Sequence, residues 1–471
     1  MAELERQDIQ GLVMSGYAHL SCVCYLLLRV ADAAGARRWL AQLAAEVTTA
    51  EGKQEGTSLN VAFTHRGLAR LGFTSETLAT FSRPFREGMA TPHRSRILGD
   101  ADDNAPDQWD WGGAEAKDAD MLLLLFAADE TTLDALRARQ RANFTPSGVV
   151  EFLALEAGRQ PDSHEHFGFA DGMGQPALAG SPQAAKAAAR NLVNDGEVLL
   201  GHSNAYGKPA DSPQVPAASD PQHLLPDAPP LADIANSAPA MRDLGHNGTY
   251  LVFRQLAQHV ADFYHYLDEA TRRLDGQLDQ AACGRLAAKF VGRWPNGAPL
   301  TLSPASDDPA LSDADDFGYN DTDARGFACP IGSHIRRANP RDSLGPDPQT
   351  ALTSANRHRI LRRGRSYGHR AADPRVDDGI ARGLHFICLN SDIERQFEFV
   401  QQTWINNPVF GGLNGEVDPL IGHLDKGDEI MTVQADPLRT RVHDLRRFIT
   451  VKGGAYFFLP GIKALRHIAG T

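Results

Sequence analysis

Hydrophobic and polar positions along this chain switch repeatedly between a two-residue and a helical period. Residues 19–30 form an apolar, strand-like run. Residues 34–47 then take helical spacing, with Trp39, Leu40 and Leu43 on one face. The succession continues with a short strand at 59–63 leading into a helix that carries Leu68 and Leu71, a strand at 121–126, a helix at 131–143 and a strand at 149–155. Strand-helix-strand taken twice is the order of a ferredoxin-like α+β sandwich. Residues 203–240 interrupt the pattern. They are rich in Pro, Ala, Asp and Ser, and Pro226, Pro229 and Pro230 predict no regular element there. The pattern restarts with a strand at 248–253 and a helix at 256–267. Further on come a strand at 384–389, a helix at 393–404 and closing strands at 448–451 and 455–459. The expected fold is α+β, a duplicated ferredoxin-like architecture of two antiparallel sheets with peripheral helices. Its halves are 1–202 and 241–471, joined by a Pro-rich excursion at 203–240.

Composition narrows the function. With 471 residues, 42% of them hydrophobic and 23% charged, the chain can bury a large core. A formal net charge of -12 argues against a nucleic-acid partner, because phosphate binding needs a concentrated basic surface. The apolar stretch 22–30 is too short to span a bilayer, and no signal peptide or twin-arginine pair is visible, so a cytoplasmic protein without a membrane partner is expected. Five cysteines in so long a chain do not form a disulfide framework, and Cys22 and Cys24 read as small core residues. No G-x-G-x-x-G follows a strand and opens a helix, which excludes an ordinary dinucleotide-binding dehydrogenase.

Three segments carry residue types that are costly in plain loops. The first runs from His164 to Pro176 and contains Gly168-Phe169-Ala170-Asp171-Gly172. Glycines flanking an aspartate allow a sharp turn or a close approach to a ligand. Taken alone, Asp171 reads either as an Asx-turn cap or as a carboxylate aimed into a cavity. The pair His164 and His166 is a weak metal signal without further ligands. The second segment, Cys329-Pro330-Ile331-Gly332-Ser333-His334-Ile335-Arg336-Arg337, sets His334 after a Pro/Gly turn, at the start of a short helical piece. His334 reads either as an iron ligand or as one of the chain's 17 ordinary histidines. Arg336, Arg337 and Arg341 lie close by in sequence. The third segment holds Arg357, Arg359, Arg362, Arg363 and Arg365 within nine residues. A charge run is usually a solvated face, but Ile360, Leu361 and Tyr367 imply partial burial, and a buried arginine needs an anionic partner.

Together and in this order the segments resemble the dye-decolorizing peroxidases. Gly168 to Gly172 matches that family's G-x-x-D-G motif. The segments Cys329 to Arg336, Arg359 to Gly364, and Leu384 to Cys388 with Asp392 to Phe399 match further family segments, and Asn247 to Arg254 and Val291 to Trp294 resemble its longer, bacterial-type members. The resemblance implies two ferredoxin-like halves around one haem b, held non-covalently because no C-x-x-C-H is present. It assigns His334 as the axial iron ligand, Asp171 as the distal acid–base and Arg362 as the distal cation, with Arg363 the adjacent alternative. Leu384 and Phe386 would line the distal pocket, and Arg336, Arg337 and Arg341, with Arg341 foremost, could neutralise the haem propionates. Asp392 would accept the second N–H of His334, with Glu394 and Glu398 as further candidates. The implied activity is reduction of hydrogen peroxide coupled, through a ferryl haem, to oxidation of bulky aromatic, dye-like or phenolic donors. Tyr367 and Trp404 are oxidisable and could carry electrons, although core aromatics are the plainer reading of both. The rival is a haem-storage, delivery or iron-releasing protein without turnover, which would keep His334 but have no use for Asp171 with Arg362. The acidic run 313–316 reads as a solvated loop rather than a Mn(II) site, and the family leaves room for a homo-oligomer.

Overall fold

The computed structural model describes residues 4–52, 55–160, 162–229, 240–424, 427 and 429–470. They build a nine-stranded sheet that closes on itself. Its strands are β1 (Cys22–Val30), β2 (Thr57–Phe63), β3 (Met121–Ala127), β4 (Val149–Gly158), β5 (Thr249–Gln258), β6 (Leu361–Arg362), β7 (Arg365–Tyr367), β8 (Gly383–Asn390) and β9 (Ile449–Leu459). Around the ring, β4, β1, β3 and β2 are successive antiparallel neighbours, and so are β9, β5, β8 and the β6–β7 pair. Two narrow seams join these sets: Phe63 pairs with Phe458, and Gly158 with Ser366.

Strand alternation separates two cores. Val23, Tyr25, Leu27, Leu124, Phe253, Ile387 and Phe457 fill the inside of the ring. Cys24, Leu26, Leu28, Leu123 and Leu125 face outward and pack beneath helices, among them Trp39, Leu40 and Leu43 of α1 (Ala33–Leu43). The helices start where side-chain oxygens can cap free backbone N–H groups. Asp32 caps α1 through Ala34 at 3.0 Å, and Asp129 caps α2 (Glu130–Phe144) through Thr132 at 2.8 Å. The second set carries α3 (Val260–Ala270) and α4 (Gln280–Val291).

Several expected elements change. Residues 256–258 extend β5 instead of opening a helix, because Leu256 is held between Leu384 of β8 and Val451 of β9. The two closing strands are one, β9, bulged between Val451 and Gly453. The helix expected at 393–404 is a wide π-helical run over Glu394–Glu398 and Val400–Ile405. The Pro-rich excursion is not free of regular structure, since Gln214–Pro216 pairs with Met241–Asp243 ahead of Pro226. Residues 230–239, with Pro230, lie outside the described residues. Among the described residues no helix is long and apolar enough to cross a membrane.

Candidate active site

A cavity of about 290 Å³ lies outside the ring, against the second set of strands. Leu256, Leu384 and Phe386 form one wall, and the π-helical run forms another through Phe397, Val400 and Ile405. His334 enters it as the first residue of α5 (His334–Ala338). The tail of α4 fixes this position. Gly292 ends that helix with φ 98°, and a Cβ there would fall 2.4 Å from Ile335 Cγ1, so only glycine lets α4 press against the His334 segment. The ring nitrogen Nδ1 of His334 lies 2.9 Å from Oδ2 of Asp418, which is fully buried. Burial pushes the Asp418 carboxyl up, but the His334 partner and the N–H groups of Ile421 and Leu420 outweigh it and hold the carboxyl below its ordinary range. Nε2 of His334 makes no hydrogen bond among the described residues.

Asp171 and Arg362 also line the cavity, paired at 3.2 Å. Arg362 Nη2 donates to the Met173 carbonyl at 2.6 Å, and its backbone N–H to Gln175 Oε1 at 2.9 Å. Asp171 Oδ1 also accepts the Gly172 N–H at 2.6 Å, so the turn-capping and cavity-facing readings hold together. Between β6 and β7 the chain runs close to β8 at Gly364, where a Cβ would lie 2.5 Å from the His385 carbonyl, so only glycine fits there. Arg363 faces away and donates to the carbonyls of Leu12 and Val13 at 2.7 Å each, so it is not the cavity cation.

The other arginines divide between anchoring and cavity. Arg336 is bound by Asp323, and Arg337 by a ring of carbonyls that includes Trp404 and Glu416. Neither lines the cavity. Arg341 and Arg293 do, and both pair with Asp315. The acidic run is therefore no solvated loop at Asp315, whose side chain is 17% exposed. Arg359 went unnoticed in the sequence as a cavity residue. It is buried and, among the described residues, donates to the Gly174 carbonyl (2.8 Å) and Asn191 Oδ1 (3.4 Å), with no carboxylate in hydrogen-bond contact. Burial, with Arg341 beside it, outweighs the attraction of Asp315 and pushes the guanidinium down to about 10.

One expectation needs correction, the acidic partner of His334. Asp392 does not touch His334. Its Oδ1 accepts the Arg395 N–H at 3.0 Å, which caps the start of the π-helical run. Glu394 and Glu398 both pair with Arg94. Asp418 fills the role. In the sequence it reads as a Val-Asp-Pro turn, and the one hint was an acidic residue set among Val417, Leu420 and Ile421. His385 points into the ring, between Tyr25 and Phe253, with Tyr367 stacked on it at 4.6 Å. Burial pushes His385 down to about 3. Tyr367 and Trp404 do not line the cavity. Trp404 is 7% exposed and packs against His358 and Phe399, each at 5.3 Å. No cluster of three or more His, Cys, Asp or Glu that could hold a metal occurs among the described residues, so His164 and His166 form no such site.

A cavity-facing imidazole backed by a buried carboxylate, with a carboxylate–guanidinium pair in the same cavity, on this α+β scaffold, defines a peroxidase-type oxidoreductase. No family model matches the chain. It is 31% identical over 476 residues to a multifunctional dye peroxidase of Amycolatopsis, covering 94% of this chain and 91% of that one. It is also 31% identical to a dye-decolorizing peroxidase of Mycena epipterygia, across 88% of this chain and 76% of the relative. The fungal DyP-type peroxidase structure from Auricularia auricula-judae superposes with a TM-score of 0.79 at 25% identity, covering 100% of both chains. The chain belongs to the dye-decolorizing peroxidase family and is an enzyme of that class. Membership implies a haem cofactor, and the residues present fit one. Among the described residues His334 Nε2 is unengaged, the cavity wall of Leu384, Phe386 and Val400 is apolar, and Arg359 is a buried cation that no carboxylate hydrogen-bonds, suited to a propionate.

Proposed function

We propose that this chain reduces hydrogen peroxide on a bound haem b while oxidising bulky aromatic, dye-like or phenolic donors. His334 would hold the iron and Arg359, with Arg341, would meet the propionates. The observation that carries the reading is the single cavity shared by His334 and the Asp171–Arg362 pair. A storage protein needs the first but not the second. When bound, haem supplies the redox centre that takes up the oxidising equivalents of peroxide. Asp171 takes the proton from the nearer peroxide oxygen and returns it to the leaving oxygen. Arg362 keeps its charge and stabilises the anion that develops. Asp418 fixes the His334 ring orientation and makes the imidazole more basic. Leu384 and Phe386 keep the peroxide side apolar. Trp404 and Tyr367 are one step removed from the cavity and would carry electrons from donors too large to enter. Val400 and Ile405, beside Trp404, line it.

The fold itself is read as two ferredoxin-like halves, 1–202 and 241–471. The strand order within each set supports this: β4, β1, β3, β2 in the first and β9, β5, β8, β6–β7 in the second. The deciding experiment is a visible spectrum of the haem-reconstituted protein before and after one equivalent of hydrogen peroxide. A His-ligated Soret band that shifts rapidly and returns on adding a phenol supports the reading. A band unmoved by peroxide means storage or delivery.

A further inference from the structure

Asp171 sits at the end of a loop with no strand or helix, only the isolated bridge between His164 and Ala170, yet its carboxylate has to be placed against Arg362. Much of what holds that loop converges on Glu165, a residue the proposed chemistry does not use. The Glu165 carboxylate bends back over its own loop: Oε1 accepts the Phe169 N–H at 2.9 Å and Oε2 the Phe167 N–H at 2.8 Å. Oε2 also accepts Gln258 Nε2 at 2.6 Å, and Gln258 is the last residue of β5. The backbone closes the same knot, with Glu165 N–H on the Phe169 carbonyl and Gly168 N–H on the Glu165 carbonyl, each at 2.9 Å. Tyr264 of α3 donates its hydroxyl to the Phe167 carbonyl at 2.8 Å. Asp171 follows directly, its N–H on the Ser163 carbonyl at 3.1 Å. Three N–H donors on two oxygens use the acceptor capacity that only a carboxylate has in that place; an amide would turn one acceptor into a donor.

We propose that Glu165 is the positioning residue for Asp171: its carboxylate clamps the loop at 163–172 to the end of β5, and so sets the Asp171 carboxylate against Arg362 in the cavity. This rests on the role given to Asp171 above. Glu165 lines the cavity itself, but it acts through the loop. Burial pushes its carboxyl up, and the charge of Asp171 adds to that, which agrees with two carboxylates facing one small space.

The test is a double-mutant cycle of Glu165→Gln and Asp171→Asn, read as the rate of the Soret change with hydrogen peroxide. Amide hydrogen exchange of the 163–172 segment is read in parallel, in both the haem-free and the loaded protein. Glu165→Gln should slow the peroxide reaction by about 10- to 100-fold, the scale of a displaced reacting group. It should add nothing to Asp171→Asn, and the segment should exchange faster with or without haem. A wild-type rate in Glu165→Gln overturns the inference, as does an equal loss in both backgrounds, which would mean an effect independent of Asp171. Asp171→Asn reacting at the wild-type rate overturns the role of Asp171, and this inference with it. Should Glu165→Gln not fold, Gln258→Leu removes one of the three donors and enters the same cycle with the same expected outcomes.

Discussion

Replacing Asp418 by asparagine is the sharpest perturbation of the His334 side. The fold should survive it, because the Leu420 and Ile421 N–H groups both bond Oδ1, which an amide oxygen can replace. What is lost is the charged acceptor at 2.9 Å from His334 Nδ1. A hydrogen bond to a charged group contributes about 1.5–3 kcal/mol. At about 1.36 kcal/mol per decade this is roughly 10- to 150-fold, in line with the roughly 10- to 100-fold cost of removing an outer partner of a metal-ligating histidine. Asp418→Asn should therefore bind haem, or react with peroxide, at least about 10-fold more weakly or slowly, while the haem-free protein still folds with a cooperative melt. The assays are a haem titration by fluorescence quenching and stopped-flow absorbance with hydrogen peroxide. Asp392→Asn is the control, since that side chain caps the π-helical run and pairs with Arg395 at 3.4 Å, away from His334, and should leave both readings at wild type. Wild-type affinity together with a wild-type peroxide rate in Asp418→Asn would refute the coupling between the carboxylate and the iron ligand.

Other outcomes follow from the same geometry. Asp171→Asn should slow the peroxide reaction by ~10²-fold or more, and Arg362→Leu should slow it further, because it removes a charge that needs no proton exchange; stopped-flow rates check both. Arg359→Met should raise the melting temperature of the haem-free protein, since it removes a buried cation that no carboxylate hydrogen-bonds among the described residues, yet weaken haem binding; a lower melting temperature would contradict this. His385→Phe should flatten the acid dependence of stability. The folded imidazole is pushed down to about 3, whereas the unfolded one titrates near ~6.5. Between those values the unfolded state holds the extra proton, so wild-type stability falls as pH drops through that window; urea melts at several pH values measure it. Trp404→Phe and Tyr367→Phe should lower turnover of a large dye while leaving the peroxide reaction unchanged, and equal dye turnover would end their proposed role.

The parts of the fold legible in the sequence were those in which local pattern and tertiary environment agree. The strands β1, β3 and β4 are strongly apolar runs, and α1 and α2 start at the capping aspartates Asp32 and Asp129. Legibility failed where long-range pairing overrode spacing, as at Leu256, whose helical neighbours in sequence are outweighed by strand partners on both sides. In the site, Asp171, His334, Arg362, Leu384 and Phe386 were found through the resemblance, and all of them line one cavity. Asp418 was missed because its importance comes from burial beside a residue 84 positions away, which no spacing encodes. Arg359 was hidden in a charge run whose members look alike until the strand assigns each to a face.

That run has a practical corollary for anyone engineering the chain's N-terminal end. Arg363 and Arg365 follow Arg362 and donate to the carbonyls of Leu12, Val13, Gly16 and Tyr17. A stretch that contributes no atom to the cavity thus braces the backbone on which the cavity's cation is mounted. Trimming into those residues, or fusing a tag that pulls on them, would disturb the peroxide side of the enzyme from a distance while leaving every cavity residue in place.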